Sequence, residues 1–279
     1  MDGSGFRSSH ILIAGLGLIG GSAAKALRAA GFTYIDAYDT DSMSLAQAKK
    51  DGVIRTGYTA LQAGEYDLVL CCLPPQGIAK FYELAKPYIK EHGVFAELGG
   101  LKEKVTAQLE ALHLPEHELL CLHPMAGSEK TGYAFSDARM FSGAPLLLTP
   151  NAGTGHAALA WAVVLKEAFG SGDMPTLTAD RHDEIIATVS HLPHVAALAV
   201  QAAAAGSERF AGGSFKSVTR VAELNTALWA GLLTDNAEYV VKSIRQYRQA
   251  LDALQQAIEA QDTAALQALL EQMSKGERA

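Results

Sequence analysis

A glycine-rich turn near the N-terminus constrains the fold of this chain more than any other feature. Gly15, Gly17 and Gly20 follow the apolar run 10–14 and open an alanine-rich segment, in the sequence HILIAGLGLIGGSAAKALRAAG. Glycines at this spacing allow a tight turn and a close approach of backbone N–H groups to a pyrophosphate. The spacing alone is weak evidence, because glycine-rich turns are common. A predicted strand before it and a predicted helix after it favour a dinucleotide-binding turn.

An acidic residue follows at the position where a nucleotide ribose would lie. Asp39 comes nineteen residues after Gly20, at the end of the next predicted strand. A carboxylate there accepts hydrogen bonds from the ribose hydroxyls and repels a 2′-phosphate. Asp39 and Asp41, with no arginine between Asp41 and Arg55, therefore favour NAD over NADP. An ordinary turn acid is the alternative interpretation.

Four apolar residues are predicted to border the same cofactor. Leu18 and Ile19 belong to the glycine-rich turn, and Leu73 and Pro74 follow the apolar run DLVLCCL. Ligands of open α/β sheets bind at the carboxyl ends of the strands. We therefore expect Leu73 and Pro74 to lie against the nicotinamide half.

The alternation of short apolar runs with helical segments predicts the fold class. Such alternation indicates βαβ units and a mostly parallel sheet, whereas the sequence beyond residue 180 is almost uninterrupted helix. We predict an α/β, Rossmann-type dinucleotide-binding domain over residues 1–178, followed by an all-helical domain over 179–279 that binds substrate and dimerises. The predicted strands are 10–14, 34–38, 67–73, 93–98, 119–122 and 145–149, and the clearest helices are 20–30, 78–89 and 156–169.

Apolar residues in the helical half recur at the spacing of one helix seam. The seam consists of Val240, Ile244, Tyr247, Leu251, Leu254 and Ile258. Spacings of three and four place them on one side of a long helix. Packing within the chain is one explanation, but a seam of this length favours a homodimer formed through the helical domain.

Composition argues against several classes of partner and location. A formal net charge of -7 without a basic cluster disfavours nucleic acid. Neither a signal peptide nor a run approaching the ~18 to 20 apolar residues of a membrane span is expected. Cys71, Cys72 and Cys121 lie in apolar runs, where they pack as small hydrophobes. We predict a cytoplasmic protein with no membrane partner.

A histidine is the best candidate for the proton acceptor that hydride transfer requires. His123 follows the predicted strand 119–122 in CLHPMAGSEKTGYAF, and so lies at the carboxyl edge of the sheet. With an ordinary pKa of about 6.5, a histidine can take a proton from a hydroxyl as hydride leaves the same carbon. An isolated loop histidine is more often a turn residue, but the position at a strand end favours chemistry.

Charged and imidazole groups in the helical half are candidates for holding a substrate. Lys216 and Arg220 lie in a glycine-rich entry to a helix, and an arginine can grip a carboxylate through paired N–H donors. A solvated charge is the alternative. His191 and His194 flank Pro193, which should bend its helix. Since no cysteine or acidic set accompanies these histidines, we predict no metal site.

Four stretches together closely resemble the prephenate and arogenate dehydrogenase family of tyrosine biosynthesis. They are GLGLIGGS, HPMAGSEKTGYAF, DRHDEIIATVSHLPH, and FKSVTRVA followed by Trp229. The resemblance implies NAD as cofactor and oxidative decarboxylation of prephenate to 4-hydroxyphenylpyruvate. Arogenate is the first alternative substrate. A β-hydroxyacid dehydrogenase or imine reductase, and a nucleotide-binding protein without turnover, are the remaining alternatives.

The resemblance also implies roles for individual residues. His123 would accept the proton of the ring hydroxyl, Arg220 would hold a substrate carboxylate, and His194 would line the pocket. Ser128, Glu129 and Lys216 are the further substrate-binding candidates. The chain departs from the family pattern at Gly100, where many members carry a serine that assists the histidine. We expect water or Ser128 to replace that serine, or His123 to act alone.

Overall fold

The computed structural model describes residues 3–61 and 64–276. The chain forms two compact units, the first comprising Met1–Asp183 and Leu224–Leu232, the second Glu184–Glu223 and Leu233–Ala279. The first unit thus includes a short segment from the helical half of the sequence. The domain boundary between residues 178 and 179 stays a prediction.

The first unit is built on a seven-stranded sheet in the order β3-β2-β1-β4-β5-β6-β7. All neighbouring pairs from β3 to β6 are parallel, and β7 is antiparallel to β6. This is the strand order of Rossmann-type folds, so the predicted fold class is confirmed. The strands are β1 Ile11–Ala14, β2 Ile35–Tyr38, β3 Thr56–Tyr58, β4 Tyr66–Cys71, β5 Ile89–Glu97, β6 Glu118–Pro124 and β7 Leu146–Leu148.

Helices cover both faces of this sheet. Side chains alternate along β1, so Ile11 and Ile13 join a core that includes Trp161, while Leu12 joins the opposite core with Phe81. Burial on both faces explains why the strands read as apolar runs. The helices of the first half are α1 Leu18–Ala29, α2 Ser42–Lys50, α3 Pro75–Ala85, α4 Glu103–Leu112, α5 His156–Phe169 and α6 Ala179–Ile186.

Two features of this half differ from the sequence predictions, one strand that was not predicted and one helix with other bounds. The strand Thr56–Tyr58 was not predicted, because three half-buried residues at the sheet edge leave no apolar run to detect. The helix expected at 78–89 begins at Pro75 and ends at Ala85. Proline at the first helical position is favourable, since its fixed φ suits a helix and its missing N–H costs no intrahelical bond.

The remaining helices include the predicted seam. They are α7 Leu192–Ala203, α8 Gly213–Thr219, α9 Thr226–Asp235, α10 Ala237–Glu259 and α11 Thr263–Ser274. The six seam residues all lie on α10, a single helix of 23 residues. Val240 is buried, whereas Leu251 and Ile258 remain 45% and 59% exposed. The chain therefore covers one end of the seam and leaves the other accessible.

Pro193 follows an irregular turn between α6 and α7. Residues Ala187–His191 form a π-helical turn, and Pro193 lies in the first turn of α7. The wider turn lies where proline removes a backbone donor and crowds the preceding carbonyl groups. The irregularity that the structure shows here is a π-helical turn, and the bend expected at Pro193 stays a prediction.

The helical stretch Ala179–Ala203 corrects one expectation about composition. By length and composition alone it is long and apolar enough to cross a membrane, and 22% of its most apolar window is buried. The expectation that no stretch reaches this threshold was therefore wrong. A single helix of this kind is weak evidence for a membrane, and the absence of a membrane partner stays a prediction.

A fully buried ion pair lies at the carboxyl end of β5. Glu97 and Lys102 are both 0% exposed, and the Lys102 Nζ lies 2.5 Å from Glu97 Oε1. Lys102 Nζ also donates to the carbonyls of Gly99 at 2.7 Å and Leu122 at 2.8 Å. The ammonium therefore ties the end of β5 to β6, one residue before His123.

Lys102→Met should lower the free energy of unfolding by about 3 to 5 kcal/mol, because it leaves Glu97 buried without a counter-charge. Replacing Glu97→Leu in addition should recover part of this loss. Urea unfolding followed by circular dichroism measures both changes. Lys104→Met, at an exposed position on α4, is the matched control, and equal stability of the two single variants would contradict the prediction.

Candidate functional site

The sequence-predicted residues of the first unit gather at one edge of the sheet. The glycine-rich turn follows β1, Asp39 follows β2, and Leu73 and Pro74 follow β4. His123 lies near the end of β6. Because β1, β2, β4 and β6 point the same way, their carboxyl ends share this edge, where α/β folds bind ligands.

The three glycines of the turn have different surroundings. Gly15 adopts a φ of 85°, and a Cβ there would lie 2.9 Å from Leu73 Cδ2. A Cβ on Gly20 would collide with the Gly15 carbonyl oxygen, whereas one on Gly17 would meet nothing within 4 Å. Gly15 and Gly20 are therefore needed for close packing, while Gly17 leaves space at the N-terminus of α1. That space, at the positive end of a helix dipole, fits a pyrophosphate.

The two acidic residues after β2 have separate tasks. Asp39 accepts the backbone N–H of Leu16 at 2.6 Å and that of Asp41 at 2.8 Å, which fixes its carboxylate beside the glycine-rich turn. Asp41 caps α2, accepting from the backbone of Met43 and from both the backbone and hydroxyl of Ser44. The Ser44 hydroxyl is the main reason that the pKa of Asp41 is lowered. Asp39 is thus the better placed acid for a ribose.

Arg55 forms an ion pair with Asp36 of β2. Its Nε and Nη2 donate to the two oxygens of buried Asp36 at 3.1 and 2.9 Å. The hydrogen bond that Arg55 donates to Asp36 is the main cause of the raised pKa of Arg55. This bidentate contact favours a structural role for Arg55 over recognition of a 2′-phosphate.

His123 belongs to a row of three hydrogen-bonded side chains. Its Nδ1 lies 2.9 Å from Nε2 of His182, and His182 Nδ1 lies 2.7 Å from Asp183 Oδ1. Asp183 also accepts the backbone N–H groups of Lys102 and Glu103, both at 2.9 Å, at the start of α4. His182 and Asp183 are 0% and 4% exposed, while His123 is half-buried.

Sequence reasoning assigned no role to His182 or Asp183. Both lie in DRHDEIIA, part of a stretch that carries the family resemblance, whereas the candidates predicted from this stretch are His191 and His194 beside the proline. The signal that could have found them is an adjacent His–Asp pair at the start of an amphipathic helix. Burying such a pair requires polar partners.

Gly100 faces the ring edge of His123 that carries Nε2. A Cβ on Gly100 would lie 3.9 Å from that nitrogen and 3.8 Å from Leu232 Cδ2. Ser128 is exposed, and its hydroxyl accepts the backbone N–H of Lys130 at 3.2 Å. His182 is therefore a hydrogen-bonding partner that the structure gives to His123. A role for Ser128 stays a prediction.

The other residues predicted to bind substrate lie in a loop of the first unit and on helical elements of the second. Glu129 is exposed in the loop after β6. In the second unit, Lys216 lies on α8 and Arg220 begins a short 3-10 turn. His194 lies on α7, with its Nδ1 2.8 Å from the Ser190 carbonyl. Since α7 packs against α8 and the Arg220 turn, the elements that carry these three residues are neighbours. Their roles stay predictions.

The remaining cofactor candidates lie at the starts of α1 and α3, and their roles stay predictions. Leu18 and Ile19 form the first turn of α1 and are half-buried, and Leu73 and Pro74 lead into α3, which begins at Pro75. No group of three or more His, Cys, Asp or Glu side chains within residues 3–61 and 64–276 is arranged to hold a metal ion.

Comparison with known proteins gives consistent family matches. Residues 23–171 match the family model "Prephenate dehydrogenase, nucleotide-binding domain", and residues 178–272 match "Prephenate dehydrogenase, dimerization domain". The glycine-rich turn precedes the first matched range. Cyclohexadienyl dehydrogenase from Zymomonas mobilis is 32% identical over 266 residues, covering 91% of this chain and 89% of the relative.

Two solved structures share the fold across nearly the whole chain. Prephenate dehydrogenase from Aquifex aeolicus, in complex with hydroxyphenyl propionate and NAD+, superposes with a TM-score of 0.87 at 26% identity, covering 96% of each chain. Arogenate dehydrogenase from Synechocystis gives 0.80 at 26% identity, covering 96% of this chain and 98% of that one. The two family models and the extended identity with a curated relative show that this chain belongs to the prephenate dehydrogenase family.

Proposed function

We propose that this protein catalyses the NAD-dependent oxidative decarboxylation of prephenate to 4-hydroxyphenylpyruvate. Its family consists of dehydrogenases, and its first unit matches that family's nucleotide-binding domain. The observation that carries the proposal is the placement of His123 on the same sheet edge as the glycine-rich turn. A proton acceptor and a nucleotide-binding turn are the two groups that dehydrogenation of an alcohol requires.

The cofactor assignment rests on the geometry of the turn. Gly17 leaves space at the helix N-terminus, and Asp39 is held beside it by the Leu16 N–H. The Aquifex aeolicus structure contains NAD+, which supports the same cofactor here. When bound, NAD supplies the hydride acceptor.

His123 first accepts and later donates the proton in the proposed reaction. It takes the proton of the hydroxyl on the ring carbon that loses hydride, so that this carbon becomes a carbonyl. The resulting dienone draws the electron pair of the C–CO2 bond into the ring, carbon dioxide leaves, and the ring becomes aromatic. His123 then returns the proton to the phenolate oxygen. Aromatisation supplies the driving force, so the protein contributes mainly position and proton transfer.

Arg220 and His194 are proposed to bind the substrate outside this proton-transfer step. A guanidinium grips a carboxylate through two parallel N–H donors. Arg220 must orient the ring carboxylate without holding its charge so tightly that decarboxylation stalls, because only interactions stronger in the transition state accelerate the reaction.

Arogenate is the second candidate substrate. It differs from prephenate in carrying an amino acid side chain in place of a keto acid, and an arogenate dehydrogenase is among the similar structures. Family membership disfavours the β-hydroxyacid dehydrogenase and imine reductase alternatives. A binding protein without turnover is disfavoured by the placement of His123.

We also propose a homodimer in the cytoplasm. The second family model describes a dimerization domain, and α10 leaves Leu251 and Ile258 exposed at one end of its seam. A second copy would cover these side chains. The reduced, buried cysteines Cys71 and Cys121 are compatible with a reducing compartment.

His123→Asn should lower turnover by roughly 100-fold or more while leaving NAD affinity nearly unchanged, because it removes the proton acceptor without altering the turn. Stopped-flow or steady-state NADH absorbance measures turnover, and NADH fluorescence measures binding. His156→Asn, at an exposed histidine opening α5, is the matched control. Turnover near that of the unmodified protein would contradict the base assignment.

Gly17→Ala and Gly20→Ala should separate cofactor binding from stability. Gly17→Ala should weaken NAD binding about tenfold or more by filling the pyrophosphate space, with little change in Tm. Gly20→Ala should lower Tm by at least about 4 °C, because its Cβ meets backbone atoms. Fluorescence titration and thermal unfolding test the pair. Unchanged NAD affinity in Gly17→Ala would remove this turn from the cofactor site.

NADH formation with prephenate and arogenate in turn tests the substrate assignment. We expect a higher kcat/KM with prephenate, and Arg220→Ala should raise KM about tenfold or more with a smaller effect on kcat. Arg209→Ala, in the 3-10 turn Glu208–Phe210 of the same unit, is the control. A preference for arogenate would replace the proposed substrate, and an unchanged KM would remove Arg220 from the site.

A further inference from the structure

The row Asp183–His182–His123 has a fixed direction of hydrogen bonding. At its far end, Asp183 receives the backbone N–H groups of Lys102 and Glu103, and a backbone N–H can only donate. Asp183 Oδ1, which takes the Lys102 N–H, is also the atom 2.7 Å from His182 Nδ1. The carboxylate therefore acts as an acceptor throughout, and His182 Nδ1 carries a proton.

The protonation state of His182 determines whether its Nε2 donates or accepts in the contact with His123. Burial is the largest influence on the pKa of His182 and lowers it, the hydrogen bond to Asp183 opposes this effect, and the charge on Lys102 adds to the lowering. The charge on Glu97 opposes the lowering. The net lowering keeps His182 neutral at neutral pH. A neutral imidazole with its proton on Nδ1 has an acceptor at Nε2.

The neutral state of His182 determines which ring nitrogen of His123 carries a proton. Since His182 Nε2 is an acceptor, the 2.9 Å contact requires His123 Nδ1 to donate. Neutral His123 then carries its lone pair on Nε2, the nitrogen on the side of Gly100. If His182 were protonated, its Nε2 would donate instead, and His123 would carry its proton on Nε2, where it could not act as a base.

We infer that His182 and Asp183 are positioning residues that hold His123 in the tautomer with its proton on Nδ1, so that Nε2 accepts the substrate proton. The inference rests on the proposed function for the identity of that proton, but the tautomer itself is a property of the protein without substrate. The row performs two tasks, because Asp183 also receives the first N–H groups of α4. It thus couples the orientation of the base to the loop between β5 and α4.

The direct test is the tautomer of His123 in the full-length protein. Two-bond 1H–15N correlation spectra of protein labelled with 15N-histidine distinguish a ring nitrogen that carries a proton from one that does not. The chain has nine histidines, and the signal lost in His123→Asn assigns the residue. We expect the proton on Nδ1 above the pKa of His123. A proton on Nε2 in the unmodified protein would overturn the inference without the need for any further variant.

Two substitutions at His182 then ask whether this residue sets the tautomer. His182→Leu removes the acceptor, and should shift His123 toward the Nε2–H form and lower kcat roughly 10- to 100-fold. His182→Gln keeps an amide oxygen able to accept from His123 Nδ1, and should retain the Nδ1–H form and much of the turnover. NAD affinity should change little in both. His156→Leu, at an exposed histidine, is the control.

The outcomes separate this inference from the proposed function. An Nδ1–H tautomer and kcat that both persist in His182→Leu would overturn the positioning role. If His123→Asn retained turnover while the unmodified protein showed the Nδ1–H tautomer, the base assignment would fail and the hydrogen-bond direction would stand. If His182→Leu does not fold, the spectrum of the unmodified protein and the comparison with His182→Gln still decide the question.

Discussion

The buried Lys102 joins the parts of the structure on which the candidate site depends. Its ammonium binds Glu97 at the end of β5 and the Leu122 carbonyl in β6, while its backbone N–H donates to Asp183. One residue therefore fixes the strand that carries His123 and the carboxylate at the far end of the histidine row. Burying an ammonium is costly unless it is paired and fully hydrogen-bonded. The three acceptors around this Nζ meet that condition without a solvent contact.

The cofactor edge shows a similar division between packed and accessible groups. Gly15 and Gly20 lie against neighbouring atoms that exclude a side chain, whereas Gly17 faces open space. Asp39 accepts a hydrogen bond from the backbone N–H of Leu16, whereas Asp41 is the N-cap residue of α2. A turn built this way is shaped before any ligand arrives, because its backbone is fixed by packing and its acid by hydrogen bonds. Preorganisation of this kind lowers the entropic cost of binding.

The sequence predicted the features that depend on local chemistry or periodicity. The strand–turn–helix around Gly15, the Rossmann-type class and the long α10 seam all follow from patterns within a few tens of residues. The edge strand Thr56–Tyr58 was missed because a short, half-buried strand has no such pattern. The row Asp183–His182–His123 was missed for a different reason. His123 and His182 are 59 residues apart, and only the packing of α6 against the sheet edge brings their rings into contact.

Gly100 shows why this distant contact matters for chemistry. A hydroxyl beside a histidine can donate or accept, so it leaves the tautomer of its partner undetermined. A buried imidazole bonded to a carboxylate is more restrictive, since the acceptor at Asp183 fixes the proton on His182 and thereby the proton on His123. The restriction is only as strong as the burial that keeps His182 neutral. The packing around His182, with Glu97 and Lys102 nearby, therefore sets the direction of proton transfer at His123. It does so from the Nδ1 side of the ring, although the substrate proton is taken by Nε2.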